Sequence, residues 1–173
     1  LARGFLASAL LFAAGLALST GPVLAIETPI TTAGLIKNTP YVAHVRVLSS
    51  GQVPGMAATE YQLEVLESFK GSLPGTIRLR MLSGFRVVNP SGQRHPAGSE
   101  WLVFLGPGKS GLYPLRSLQW GRMDLAIDPD SDLRIITREL IGVPAPTFAG
   151  RYHTLREFRE IVRSLIGGAE ARP

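Results

Sequence analysis

Between Ala58 and Leu82 the chain alternates apolar and polar residues on both sides of a tight turn, and no other stretch constrains the fold as strongly. From Ala58 to Phe69, Tyr61, Leu63 and Val65 fall on one side and Glu60, Gln62 and Glu64 on the other. The segment Lys70 to Gly75 then reads as a turn, and Thr76 to Leu82 returns with Ile77, Leu79 and Met81 inward and Arg78 and Arg80 outward. A period of two belongs to a strand with one buried face, because successive side chains leave a strand on opposite sides. If the two strands pair, Glu60 and Glu64 stand beside Arg78 and Arg80, and opposite charges across an antiparallel pair help fix its register. These four residues are therefore read as cross-strand ion pairs rather than as a catalytic carboxylate pair.

Further strands follow from the same logic. Tyr41 to Leu48 alternates, with Ala43, Val45 and Val47 opposite His44 and Arg46, and predicts a half-buried strand ahead of a loop at Ser49 to Gly55. A short helix or turn over Thr28 to Lys37 leads into it. Glu100 to Leu105 is a continuous apolar run, short enough for a strand buried on both faces. Gly106 to Gly111 is a turn, and Pro114 marks Leu112 to Leu118 as an edge or bulge, since proline cannot donate to a ladder. Trp120 to Ile127 alternates through Met123, Leu125 and Ile127, Asp128 to Asp132 turns, and Leu133 to Ile136 pairs back. Phe85 to Gly98 is a long loop.

One helix closes the chain. Over residues 154–166, Leu155, Phe158, Ile161, Val162, Leu165 and Ile166 share a face at helical spacing. Thr154 and Glu157 make a capping box, and Gly167 and Gly168 are expected to end the helix. Short strands with frequent turn signals and one amphipathic helix predict a mainly β domain: a small OB-like barrel of about five to seven strands with the helix packed on it.

That domain is expected to span residues 26–173, because residues 1–25 read as a signal peptide. Arg3 is the positive region, Phe5 to Leu18 the apolar run, Ser19 to Pro22 the helix breakers, and Val23 and Ala25 the small residues before cleavage. The run is short for a membrane span, which takes about 20 apolar residues. The expected address is the periplasm or the exterior of a bacterium. The chain has no cysteine, so disulfides, thiol nucleophiles and cysteine-based zinc sites are excluded, and burial alone must hold the fold. The formal net charge of +5, one unit of it from Arg3, permits anionic envelope partners without implying nucleic acid.

No motif identifies a catalytic centre or a cofactor. Gly108-Lys109-Ser110 has Val103 where a phosphate loop needs its first Gly, and strand rather than helix follows. Asp128, Asp130, Asp132 and Glu139 have the spacing of a calcium loop, but Leu133 holds the position that needs Gly for a sharp turn, so they are a weak candidate beside the plain reading of a hairpin turn. His44, His95 and His153 are far apart and read as surface or boundary residues; no G-x-S-x-G elbow is present.

The run Tyr61-Gln-Leu-Glu-Val-Leu-Glu-Ser-Phe-Lys-Gly-Ser-Leu-Pro-Gly75, with Gly98-Ser-Glu-Trp-Leu-Val-Phe-Leu105, a Gly-rich turn and Tyr113, resembles a diffuse set of exported bacterial proteins of unknown function. These in turn resemble the netrin-type modules of tissue inhibitors of metalloproteinases, which are OB-like barrels carrying a helix. The resemblance covers roughly residues 40–127 and implies a fold. The inhibitors' zinc-chelating N-terminal Cys and their disulfides have no counterpart here, so their activity does not carry over.

The expectation is a non-enzymatic binding module of the cell envelope, recognising a protein, such as an exported protease, or an envelope polymer. A structural envelope protein is the alternative, and a hydrolase with an unrecognised site is a further one. The interaction surface is expected at Phe85, Arg86, Arg94 and His95 in the long loop, and at Trp120.

Overall fold

Strand β1 (Tyr41–Gln52) runs through the middle of the protein and pairs on both sides. The computed structural model describes residues 30–82, 95–117, 120–147 and 152–170; the predicted leader lies outside them. Ahead of β1, helix α1 (Thr32–Asn38) starts at Thr31, whose hydroxyl accepts from the Gly34 amide at 3.0 Å, and buries Leu35 and Ile36. Its free C-terminal carbonyls need donors. Lys70 supplies them, with Nζ 2.8 Å from the Ile36 oxygen and 2.9 Å from the Lys37 oxygen.

Strands β2 (Ala58–Lys70) and β3 (Thr76–Leu82) form the expected hairpin, with Glu60 opposite Arg80 and Leu63 opposite Ile77. β4 (Glu100–Leu105) takes the other side of β1, β6 (Arg122–Ile127) pairs with β4, and β7 (Arg134–Ile136) with β6, all antiparallel. The short β5 (Leu112–Tyr113) lies parallel to β3. Among the described residues the order is β5-β3-β2-β1-β4-β6-β7 in one seven-stranded sheet.

As a ladder this sheet is not closed, and β5 and β7 are its ends. β5 is too short to carry a ladder on both sides. Just past it, where Pro114 withholds a donor, a lone bridge joins Leu115 to Leu105 of β4. Gly106 there donates to the Pro114 oxygen, and Arg116 to the Phe104 oxygen, both at 2.9 Å.

Alternation along β1 and β4 feeds two cores. Ala43, Val45, Trp101 and Val103 point into one with Leu63, Ile77 and Leu79. Val42, Leu102 and Phe104 point into the other, where they meet α1 and the C-terminal helix α2 (Leu155–Glu170). Hence β1 is not half-buried as its alternation implied: Val42 through Val45 are buried on both faces, because the helices cover the face that carries His44.

The four most N-terminal apolar residues of the α2 stripe, Leu155, Phe158, Ile161 and Val162, are buried, while Leu165 and Ile166 pack at the margin. Phe158 meets Phe69 and Phe104 edge-on, with centroids 5.5 and 6.3 Å away. The capping box forms: Thr154 N–H donates to Glu157 at 2.7 Å, and Glu157 N–H donates to the Thr154 hydroxyl at 3.2 Å.

Two further boundaries differ from expectation. Ser49 to Gln52 is strand, not loop, paired with Gln62 to Thr59, because the long β2 offers a continuous hydrogen-bonding edge that overrides local turn preference. α2 also runs through Gly167 and Gly168, since glycine tolerates right-handed helix as well as the left-handed cap.

Candidate functional site

Of the residues expected to form an interaction surface, His95 and Trp120 are described, and Phe85, Arg86 and Arg94 lie outside the described residues. The structure separates the two that remain. Trp120 packs against the helix-side core, with the Arg138 guanidinium 5.0 Å from its ring centroid. His95 sits instead at the other core, edge-on to Trp101 with centroids 5.0 Å apart and 6.5 Å from Tyr61.

Strand pairing builds the cluster around His95. In the β4–β6 ladder Trp101 stands opposite Asp124, and Val103 opposite Arg122, so all four project to the same side of the sheet. Arg122 lies over Trp101, 4.9 Å from the ring centroid, a cation–π arrangement. Its Nη1 is 2.6 Å from His95 Nε2, and its Nη2 is 3.5 Å from Asp124 Oδ2. A guanidinium has donors and no acceptor. His95 Nε2 must therefore be the bare nitrogen that accepts, and the ring proton sits on Nδ1, 3.9 Å from Asp124 Oδ1. Burial and then Arg122 lower the His95 pKa, against an opposing pull from Asp124. Burial raises that of Tyr61.

Two buried polar atoms in this cluster have no hydrogen-bond partner among the described residues: the Trp101 indole N–H and Asp124 Oδ1. Most buried polar groups are satisfied, and each exception costs about 1–3 kcal/mol. Sequence reasoning found His95 but missed Tyr61, Trp101, Arg122 and Asp124 as its neighbours. The available signal was Arg122 and Asp124 alternating with Met123 and Leu125; which strand lay opposite them was not in the sequence.

A separate ionic network lies on the helix side of the sheet. Glu100 accepts from Arg134 Nε at 2.6 Å, His44 Nε2 at 2.8 Å and Arg46 at 3.2 Å. These contacts, led by that from Arg134, hold its carboxyl at about 2. His44 is buried, and that burial lowers its pKa. Arg159 of α2 grips Glu67 with two 2.7 Å bonds. The cross-strand pairing expected of Glu60 forms, to Arg80 at 2.8 Å and Arg78 at 3.4 Å. Glu64 departs from it: the register sets Glu64 opposite Thr76, and its partner is Arg46 at 3.2 Å. The His44–Glu100 pair has the geometry of a base and its orienting carboxylate, but no hydroxyl is among the hydrogen-bond partners described for His44.

The weak calcium candidates do not come together. Asp128, Asp130 and Asp132 line the β6–β7 turn, where Asp128 accepts from the Ser131 hydroxyl and its amide donates to the Leu133 oxygen at 2.8 Å. The hairpin closes on its own backbone, and Glu139 lies beyond β7 at the rim of a cleft of about 330 Å³ with Pro144, Pro146 and His153. No group of three or more metal-ligating side chains is found among the described residues. His153 is buried rather than at the surface, with Nε2 2.8 Å from the Pro144 oxygen.

No helix among the described residues is long and apolar enough to cross a membrane. A scan of the chain against protein-family models finds no match, and a search of curated proteins finds no relative.

Proposed function

We propose that this chain is a non-enzymatic binding module of the bacterial cell envelope that engages an exported protein. The cluster of Tyr61, His95, Trp101, Arg122 and Asp124 carries this reading. Aromatic residues and arginine are the groups that protein interfaces concentrate at their energetic centres. Here they are gathered at one place, with two polar atoms left without hydrogen-bond partners among the described residues. The carboxylates elsewhere favour binding over acid–base chemistry: Glu60, Glu67 and Glu100 are drawn below their ordinary values by arginines, whereas a general acid near neutrality needs a raised one. Export rests on the leader pattern in residues 1–25.

The module is read as OB-like. In support, β1, β2 and β3 form a meander, β5 runs parallel to β3, and the Leu105–Leu115 bridge brings the chain after β5 back to β4. The netrin-type resemblance points the same way.

The test is affinity capture from envelope extract, at pH 5 and again at pH 7.5, on immobilised residues 26–173, with mass spectrometry of what stays bound at either pH. A parallel column carries R122Q/D124N, checked for native circular dichroism. The expected outcome is one saturable protein held by the native domain and lost by the variant. Capture of nothing, or equal capture by both, overturns the proposal.

A further inference from the structure

We propose that His95 is an acid-operated cap on Arg122: at neutral pH its bare Nε2 occupies the Arg122 guanidinium, and in acid it leaves Arg122 for Asp124, freeing the guanidinium for a carboxylate of the partner. This rests on the binding reading above and adds its regulation and the chemistry of the group bound.

Arg122 Nη1 lies 2.6 Å from His95 Nε2, and a guanidinium can only donate. The contact therefore exists only while Nε2 is unprotonated. Adding a proton there sets N–H against N–H and one positive charge against another. The groups facing His95 among the described residues decide where the ring goes. From β2 there is the Tyr61 ring, from β4 the uncharged Trp101, and from β6 Arg122 and Asp124. Asp124 is the one anion among them, its Oδ1 is 3.9 Å from Nδ1, and that oxygen is buried with no hydrogen-bond partner among the described residues. A protonated ring thus trades a repulsive contact for an acceptor already waiting. Arg122 is left stacked on Trp101 with Nη1 uncapped, and a charged donor of this kind pairs best with a carboxylate. Burial favours neutral His95 in the folded protein, so the exchange falls below the ordinary value of 6.5.

Two measurements without any partner test this, so failure here is separate from failure of the capture experiment. First, imidazole ¹⁵N shifts of His95, assigned by their loss in H95Q, should show protonated Nδ1 and bare Nε2 at pH 7.5. A protonated Nε2 at that pH overturns the proposal. Second, W120F leaves Trp101 as the only tryptophan, and its emission is followed from pH 8 to 5 alongside far-ultraviolet circular dichroism. The expected result is a sigmoidal change with its midpoint below 6.5 and constant circular dichroism. It should be abolished in W120F/H95Q and kept in W120F/H44Q. A flat profile, a transition that survives H95Q, or one that coincides with loss of secondary structure overturns it.

Discussion

Glu100 shows how a single side chain can tie the sheet together. Its carboxylate collects His44 and Arg46 from β1 and Arg134 from β7, and it is only 15 % exposed, so these contacts are weakly screened. Its ordinary value of 4.5 falls to about 2 in the fold, which means folding favours the charged form. The stability this brings is present above about pH 4.5 and is lost as pH falls toward 2. Urea midpoints measured from pH 6 to 2 should fall through that window, and E100Q should flatten this part of the profile. E100Q should also cost about 2 kcal/mol at neutral pH, because His44 keeps its buried ring while its charged acceptor is gone. Gly71 is a residue-scale constraint of another kind. At φ +70° a Cβ would come within 2.5 Å of the Tyr41 ring and 2.6 Å of the Pro40 oxygen. G71A should destabilise the β2–β3 hairpin by more than the roughly 1 kcal/mol expected from backbone conformation alone, as read by the same urea titration.

Helix α2 is the element on which the second core depends. Its N-terminus is unusually well satisfied: Glu157 accepts from the amides and hydroxyls of both Thr147 and Thr154. Burial works to raise its pKa, yet these hydrogen bonds bring it to about 2. T154A removes one hydroxyl of this box and should cost about 1 kcal/mol. F158A removes the ring that Phe69 and Phe104 enclose and should cost about 3–5 kcal/mol. Thermal unfolding followed by circular dichroism separates the two by the size of the shift in Tm. If F158A costs no more than T154A, the helix is not the cover that its burial implies.

At the scale of the whole molecule, the two cores share one wall. Alternate residues of β1 and β4 serve one core and then the other, so neither can open while its neighbour keeps the strands in place. The chain places one tryptophan at each: Trp101 inside one core, Trp120 packed against the other. W120F and W101F therefore report on the two cores separately. Their fluorescence transitions in urea, each compared with circular dichroism of the same variant, should coincide within each protein, as two-state unfolding requires. A Trp120 signal that moves well before the circular dichroism would mean that the helix-side core melts on its own.

The mainly β character, the β2–β3 hairpin, the doubly buried β4 and the capped amphipathic helix are all local properties. Periodicity, turn residues and a four-residue cap fix them within a dozen positions, and the sequence by itself determined them. What tertiary structure alone decided has longer range. The reach of β1 through Ser49 to Gln52 depended on the length of its partner. Burial of His44 depended on where the helices lay. The partner of Glu64 depended on register, and the open strand order on how little ladder β5 could make. The same holds for the candidate site. His95 was legible as a loop histidine, but Trp101, Arg122 and Asp124 meet it only because β4 pairs with β6 in one register. A one-residue slip of β6 along β4 would turn Arg122 and Asp124 to the other core, and no local pattern encodes which of two apolar strands lies opposite the other.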